Sequence, residues 1–315
     1  MTRPRCFGRP IPLTTLSAPG ARFLVVTADD FGIGPETSRG ILDLAARGAV
    51  TSTVMLVNSP HAADGVAMWR AAGRPVELGW HPCLTLDAPV LPPGVVPSLV
   101  GPDGRFRSLG GLMARVALGR VRGAEVEAEF RAQYLRFVEL VGSAPANVNA
   151  HHHVHVFRVV GAALARVLAG PGRRPFVRRV VEPRHTLARI PGARVKRAFL
   201  SRLGRRAARW QAAAGLPGCD ALLGITDPGC LGDPQFFPRW LAAGRGRSVE
   251  LTCHPGHLDP ALVGRDGTLA GGQLHRRVRE FDLLREPAFR DAVRAAGYTP
   301  VTTAALTRAA GAVAA

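Results

Sequence analysis

Two adjacent carboxylates follow a short apolar run near the beginning of the sequence. Asp29 and Asp30 come directly after residues 24–28, Leu-Val-Val-Thr-Ala. A continuous apolar run of this kind predicts a strand covered by helices on both faces, so the carboxylates lie at the C-terminal end of a buried strand. One of them could instead cap the helix expected after Pro35. A cap needs one aspartate, however, and two unpaired carboxylates at a buried strand end are costly without a cation or a proton, so we favour a metal or acid–base site.

Histidines occupy the same kind of position at three further expected strands. In chain order these are His81 after residues 76–80, the cluster His151-His152-His153-Val154-His155 at the end of residues 145–157, and His254 after residues 248–253. A single histidine at such a place is usually structural, but the same coincidence at every strand is hard to explain. Because the C-terminal ends of parallel strands meet at one face of a barrel, the pattern predicts one site.

The histidine cluster leaves two metal sites open. If the strand continues through it, alternation places His151, His153 and His155 on one face and His152 on the other, which forms a three-histidine zinc face. Alternatively, one of these histidines joins His81 and one aspartate as two histidines and one carboxylate. Such a set leaves positions for water and substrate, and its metal lowers the pKa of bound water to about 7, with the second aspartate as general base.

The elements that must position these residues alternate between strand and helix. Expected strands at 50–57 and 76–80 follow expected helices at 36–47 and 62–72. This rhythm is typical of parallel β/α units. We expect an irregular extension at residues 1–20, one α/β barrel domain at 21–308 and a short tail at 309–315, with the last helix running from Thr303 to Ala310.

A loop and a basic segment break the rhythm. Residues 88–111 are rich in proline and glycine, which predicts a functional loop over the barrel mouth. Residues 173–209 hold thirteen basic residues and one acid, Glu182. Within them Val195, Phe199, Leu203 and Ala207 recur at i, i+4, which predicts a basic amphipathic helix packed on the barrel by its apolar face. Contact of residues 194–210 with a membrane surface is the less favoured alternative.

Charge, cysteine content and the first twenty residues bear on the partners, disulfides and location to be expected. The chain has 315 residues and a formal net charge of +18, but its basic residues are arginines apart from Lys196. Codon composition explains this bias better than one selected surface does, so we expect no specific nucleic-acid partner. Five scattered cysteines argue against a disulfide framework. A cytoplasmic location is expected, since the first twenty residues carry several prolines and no apolar core of a signal peptide.

Six motifs together resemble the YdjC-like carbohydrate deacetylase family, which includes chitooligosaccharide deacetylases. They are Thr27-Ala28-Asp29-Asp30-Phe31-Gly32, Thr51-Ser52-Thr53 with Asn58, Gly79-Trp80-His81, Asn149-Ala150-His151-His152-His153-Val154-His155, Cys253-His254-Pro255-Gly256 and Glu280-Phe281-Asp282-Leu283-Leu284. The similarity runs from about Arg22 to Leu306. It implies a distorted TIM-like (β/α) barrel that removes N-acetyl groups from an amino sugar or a short N-acetylated oligosaccharide and releases acetate.

The resemblance also implies a role for individual residues. By position, Asp30, His81 and His151 are expected to hold one divalent metal ion, Mg²⁺ or Zn²⁺. Asp29 is the expected general base and His254 the expected general acid. Arg178 and Trp80 are expected near the sugar, and Asn149, His153 and His155 are expected to support the metal ligands.

One position departs from the family pattern. Where relatives commonly have an aspartate before the histidines, this chain has Asn149, whose amide can orient His151 only through a neutral hydrogen bond. Two alternatives to the deacetylase stay open at this point. One is a metal-dependent phosphoesterase or another amidohydrolase on the same barrel, and the other is a protein that binds polyanions or membrane surfaces.

Overall fold

The structure is a computed structural model that describes residues 20–170, 174–266 and 272–314, without the side chains beyond residue 309. The extension predicted at residues 1–20 therefore lies outside the described residues, apart from Gly20. The described strands are β1 Arg22–Phe31, β2 Ser52–Met55, β3 Glu77–Trp80, β4 Asn147–Val148, β5 Phe176–Val177, β6 Ala221–Leu223, β7 Ser248–Cys253 and β8 Tyr298–Pro300.

All the strand pairs run parallel around a central β1. The order along the sheet is β5-β4-β3-β2-β1-β7-β6, and β8 pairs with the first residues of β1. Beyond the ladder, the backbone N–H of Val177 donates to Pro217 and that of Leu222 donates to Val181. These bonds join the segments next to β5 and β6, so the sheet curls into a distorted barrel. The α/β barrel with parallel strands predicted from the sequence is confirmed.

Helices surround the sheet. They are α1 Pro35–Ala46, α2 Ala62–Ala71, α3 Leu109–Ala117, α4 Gly123–Val141, α5 Arg158–Leu168, α6 Arg184–Arg189, α7 Arg194–Ala213, α8 Phe236–Ala243, α9 Gly272–Arg285, α10 Pro287–Ala295 and α11 Thr303–Ala314. None of the helices in the described part of the chain is both long and apolar enough to cross a bilayer.

Helix α4 and strand β1 both contribute to the buried core. In α4, Val126, Phe130 and Phe137 are completely buried, and their spacing places them on one face of the helix. The helix ends at Val141, and the next residue, Gly142, has a φ of 84°, a left-handed conformation that favours glycine. Every residue of β1 after Arg22 is buried, because a barrel strand packs one face against the surrounding helices and the other into the barrel interior.

The strand predicted at 145–157 is much shorter than expected. β4 ends after two residues, and the chain from His151 to Val156 forms 3-10 turns. His152 and His153 adopt φ values of 54° and 57°, which lie in the left-handed region. Such residues redirect the chain, so the predicted alternation of His151, His153 and His155 on one strand face is wrong.

Three other boundaries differ from the predictions. The loop predicted at 88–111 leads into α3, whose first turn lies within it. The final helix continues to Ala314 and so runs past its predicted end at Ala310. β8 has only three residues and ends at Pro300, which made it too short for a periodic signal to reveal.

The basic helix α7 packs on the barrel through only part of the predicted face, since Ala207 is buried and Leu203 is partly buried against the core. Val195 and Phe199, expected to face inward, are 86% and 45% exposed. The buried face instead contains Arg197, whose guanidinium pairs with Glu182. At Gly204 the helix lies so close to the Val180 backbone that an added Cβ would be 1.7 Å from its carbonyl oxygen. The close contact and the buried ion pair set the rotation of α7, and both escape an analysis of hydrophobic periodicity.

Candidate active site

The two aspartates of β1 reach the same cavity because the strand is irregular where it ends. The register between β1 and β2 shifts between Ala28 and Phe31, and Asp30 has a left-handed φ of 69°. In a regular strand neighbouring side chains point to opposite faces, whereas a bulge redirects one of them. Asp29 and Asp30 therefore both line one cavity of about 270 Å³ at the C-terminal ends of the strands.

Asp30, His81 and His151 form a compact group of possible metal ligands. Nε2 of His81 lies 3.2 Å and Nδ1 of His151 lies 3.0 Å from the same oxygen, Oδ1 of Asp30. All three residues are buried, and one ligand atom from each lies within 4.8 Å of the others. Two histidine nitrogens and one carboxylate oxygen suit a divalent ion with open coordination positions.

The hydrogen bond of His81 shows which of its two ring nitrogens can act as a metal ligand. Its Nδ1 lies 2.6 Å from the backbone carbonyl oxygen of Asn149. A carbonyl only accepts, so Nδ1 carries the proton and Nε2 of the neutral ring is a lone-pair atom. That lone pair faces the Asp30 carboxylate at 3.2 Å. Two acceptors at this distance require a cation between them, either a second ring proton or a metal ion, so the residues fit a metal.

The other oxygen of Asp30 is held by an arginine. Nη2 of Arg277 donates to Oδ2 of Asp30 at 2.8 Å and to Asp266 at 2.7 Å. Burial raises the pKa of Asp30, but Arg277 and His151 outweigh it and hold the pKa well below its ordinary value. Asp30 is therefore an anion whose Oδ1 alone faces the two histidines.

Asp29 rests on a buried network of charges. Arg178 donates two hydrogen bonds to it, from Nη1 at 2.6 Å and from Nη2 at 2.9 Å. The same guanidinium donates to Glu250, and Thr252 donates to Asp29 at 3.0 Å. Burial raises the pKa of Asp29, but Arg178 and two histidines, His81 and His254, outweigh it and hold the pKa far below its ordinary value. Asp29 is thus ionised and fixed in orientation.

His254 faces Asp29 across the cavity. Its Nε2 lies 3.8 Å from Oδ2 of Asp29, and a quarter of its side chain is exposed. Arg276 donates to its Nδ1 at 3.0 Å while pairing with Glu280, which also accepts from the His254 backbone. Since Nδ1 accepts, the proton of the neutral ring is on Nε2. Burial and the neighbouring Arg276 lower the pKa of His254 to about 4.

Two residues predicted to contact substrate do not line the cavity. The side chains of Trp80 and Arg178 are completely buried, and neither lines the cavity. Trp80 packs edge-on against Phe130 and Tyr134. Arg178 lies behind Asp29, where burial is offset by two carboxylates. A residue at the end of a strand can therefore support the site from below without reaching the substrate.

The predicted supporting residues contact other parts of the site than expected. Asn149 was expected to orient His151, but its carbonyl oxygen holds His81 and its amide donates to Asp29 at 3.3 Å. His155 accepts from the Ala150 backbone and lies 3.2 Å from the Arg178 carbonyl. His153 lines the cavity, and no described residue hydrogen-bonds to its buried Nδ1.

Several cavity residues were absent from the predictions. His152 stacks on His151 and makes a 2.9 Å hydrogen bond with Thr85. It was expected to face away, and only its left-handed backbone brings it to the cavity. Lys196, from the first turn of α7, also lines the cavity, and no described residue hydrogen-bonds or pairs with its ammonium group. Burial and Arg276 lower the pKa of Lys196. The sequence feature that could have pointed to Lys196 is that it is the single lysine of the chain.

Comparison with known proteins identifies the family of this chain by its sequence. The family model described as YdjC-like protein matches residues 23–295. The human carbohydrate deacetylase is 34% identical over 296 residues, covering 87% of this chain and 88% of the relative. The mouse carbohydrate deacetylase is 32% identical over 288 residues, with coverage of 85% and 89%.

A bacterial relative and a solved structure extend the comparison. The chitooligosaccharide deacetylase of Klebsiella pneumoniae strain 342 is 29% identical, with coverage of 88% of this chain and 96% of the relative. A crystal structure of a proposed cellobiose-phosphate cleavage protein from Enterococcus faecalis V583 has a TM-score of 0.69 at 23% identity. It covers 90% of this chain and 98% of its own, and at this identity the likeness establishes the fold alone.

Proposed function

The chain belongs to the YdjC-like family, and from this premise we propose that it is a metal-dependent carbohydrate N-deacetylase. Its substrate is an amino sugar or short oligosaccharide with an N-acetyl group, and its products are acetate and the free amine. The observation that carries this proposal is the arrangement around Oδ1 of Asp30. Two histidine nitrogens face one carboxylate oxygen at 3.0 and 3.2 Å, directly beside an ionised aspartate and a histidine with a free ring nitrogen.

Asp30, His81 and His151 are the residues that would hold the metal ion. A divalent ion there supplies a Lewis acid for the amide carbonyl and lowers the pKa of a nearby water. Both Zn²⁺ and Mg²⁺ remain candidates. The Asn149 carbonyl holds His81 in the correct tautomer, and Arg277 occupies the second oxygen of Asp30. The chain therefore orients two of the three candidate ligands before any ion arrives.

Asp29 and His254 divide the proton transfers. Asp29 is ionised and its carboxylate lines the cavity, so it accepts the proton of the attacking water. His254 presents Nε2 to the same space and donates a proton to the departing nitrogen. Because burial and Arg276 lower its pKa to about 4, the resting ring is neutral, and it donates after it has taken up the proton that leaves the water through Asp29. Nε2 of His254 lies 3.8 Å from Oδ2 of Asp29, so both groups can reach the atoms of one amide bond.

The decisive test is acetate release from a panel of N-acetylated sugars, headed by diacetylchitobiose. The protein is treated with a chelator, and activity is measured after addition of Zn²⁺ or Mg²⁺. We expect acetate only after metal is restored. Metal content is measured in parallel for the wild type, for His81→Ala and for His61→Ala, a histidine outside the cavity.

Metal content and acetate release together show whether the protein binds metal at this site and whether it is a deacetylase. Loss of metal and of acetate in His81→Ala, with both retained in His61→Ala, supports the proposal. Activity that survives complete metal removal would contradict it. Hydrolysis of a phosphate ester without acetate release would favour the phosphoesterase alternative. A cytoplasmic location stays a prediction.

A further inference from the structure

The outward face of α7 combines apolar and basic side chains in one stripe. Val195 and Phe199 are exposed, although large apolar residues usually pack inward. They are four positions apart in the sequence, so they lie on the same side of the helix. Arg202 and Arg206 follow at the spacing that continues this stripe, and both are exposed. The stripe is therefore apolar toward the beginning of the helix and basic toward its end.

The charge of this helix is entirely positive. The sequence from Arg194 to Ala213 contains no acidic residue. Its exposed basic residues are Arg194, Lys196, Arg202, Arg205, Arg206 and Arg209. Arg197 is excluded from this surface because it is buried against Glu182. Exposed cations that no acid on the same helix neutralises attract an anionic surface.

The packing of α7 fixes which side faces outward. At Gly204 the helix touches the Val180 backbone, and an added Cβ would lie 1.7 Å from the carbonyl oxygen. On the same inner side, Arg197 also stacks over Trp240 at 4.6 Å. Rotating α7 to bury Phe199 would break these contacts. The exposure of the stripe is therefore imposed by the fold.

This stripe adjoins the cavity. Lys196, which lines the cavity, lies between Val195 and the buried Arg197 in the first turns of α7. Leu109, at the start of α3, lines the same cavity. A surface that contacted Val195 and Phe199 would thus lie next to a residue that lines the cavity.

From these observations we propose that the stripe of Val195, Phe199, Arg202 and Arg206 docks the protein on an anionic lipid bilayer. Apolar side chains that enter the interface beside arginines that contact lipid headgroups are the features of interfacial helices. A nucleic acid would use the arginines but leaves the exposed valine and phenylalanine without a partner. The bilayer accounts for both halves of the stripe. The proposal does not depend on deacetylation.

The test is co-sedimentation of the full chain with vesicles. Vesicles of phosphatidylcholine with phosphatidylglycerol are compared with vesicles of phosphatidylcholine alone, at low and high salt. We expect binding to the anionic vesicles only, weakened by salt. Phe199→Asp should weaken binding by about tenfold or more, and addition of Val195→Asp should weaken it further, since each change removes apolar contact and adds a negative charge.

The matched control is Leu135→Asp. Leu135 is 61% exposed on α4 and does not line the cavity. The variant makes the same charge change, so it should bind vesicles as the wild type does. Neither Val195 nor Phe199 lines the cavity either, so turnover of a soluble sugar should stay unchanged in their variants.

Three results would overturn the proposal. The first is absence of wild-type binding to anionic vesicles. The second is an equal loss of binding in Leu135→Asp and Phe199→Asp, which would show that net charge alone matters. The third is salt-sensitive retention on double-stranded DNA, equal in wild type and Phe199→Asp, without vesicle binding. That outcome would assign the surface to polyanions.

Discussion

The floor and the mouth of the cavity are built on different principles. The floor consists of Asp29, Asp30, His81 and His151 with Arg178 beneath them, and all five side chains are buried. Each of its charges has a partner at hydrogen-bond distance. The mouth consists of the first turns of α3 and α7. There Lys196 has no partner among the described residues, and Val195 is 86% exposed.

This difference suggests that the floor carries out the reaction and that the mouth binds the ligand. Strand ends held by a hydrogen-bonded sheet can keep reacting groups within fractions of an ångström, as acid–base and metal chemistry require. Helix ends that follow long connections contribute unpaired groups, which are free to bind something else. Changes in the floor should therefore abolish turnover or stability, and changes in the mouth should alter binding by modest factors.

The largest effect is expected from Asp29→Asn. The amide keeps the shape of the carboxylate but cannot accept a proton, so kcat should fall by about 10² to 10⁴. Metal content should remain at the wild-type level because Asp29 is not among the three ligands around Asp30. The measurements are acetate release under saturating sugar and metal per protein. Turnover near the wild-type rate would remove Asp29 from the role of general base.

A large loss of stability is expected from Arg178→Met. Its guanidinium is completely buried and pairs with both Asp29 and Glu250. Removal of the cation leaves two buried carboxylates unpaired, which costs about 3–5 kcal/mol in the free energy of unfolding. Urea denaturation measures this change. Addition of Glu250→Gln to the variant should recover part of the loss.

The corresponding change in the mouth supplies the control. Arg202→Met removes an exposed arginine from α7 and should alter the free energy of unfolding by no more than about 0.5 kcal/mol. Equal losses in Arg178→Met and Arg202→Met would contradict the distinction between a paired floor and an open mouth.

The sequence predicted the floor better than the mouth for physical reasons. Asp29, Asp30, His81 and His254 follow strands whose apolar runs are readable, and the topology of a parallel sheet brings strand ends together. The left-handed turn at His152 left no such signal, because neither a glycine nor a periodic apolar pattern marks it in the sequence. The rotation of α7 depends on a glycine contact and a buried ion pair with residues distant in sequence.

A smaller effect concerns His155, which supports Arg178 from below. Its Nδ1 accepts from the Ala150 backbone, its Nε2 lies against the Arg178 carbonyl, and burial lowers its pKa from 6.5 to about 4. The unfolded state therefore binds a proton between these values while the folded state does not. This contribution is fully present above pH 6.5 and is lost as the pH falls toward 4, by on the order of 3 kcal/mol.

The measurement is the free energy of unfolding at several pH values for the wild type and His155→Gln. His152, His153 and His254 have lowered pKa values as well and act in the same direction. The difference between the two proteins isolates His155. The variant should be less stable at pH 7 and should lose less stability on acidification. Parallel curves for the two proteins would show that His155 does not carry the effect.

The smallest effect is expected at the mouth, from Lys196→Met. The ammonium group lines the cavity without a partner, so it can donate to a hydroxyl or an anionic group of the bound sugar. Loss of one such contact should raise KM about fivefold, equivalent to about 1 kcal/mol, with kcat nearly unchanged because Lys196 takes no part in proton transfer. Arg202→Met, on the same helix but outside the cavity, should leave both constants unchanged. A fall in kcat by two orders of magnitude in Lys196→Met would instead place this lysine among the reacting groups. The first turn of α7 would then belong with the floor of the cavity and not with its mouth.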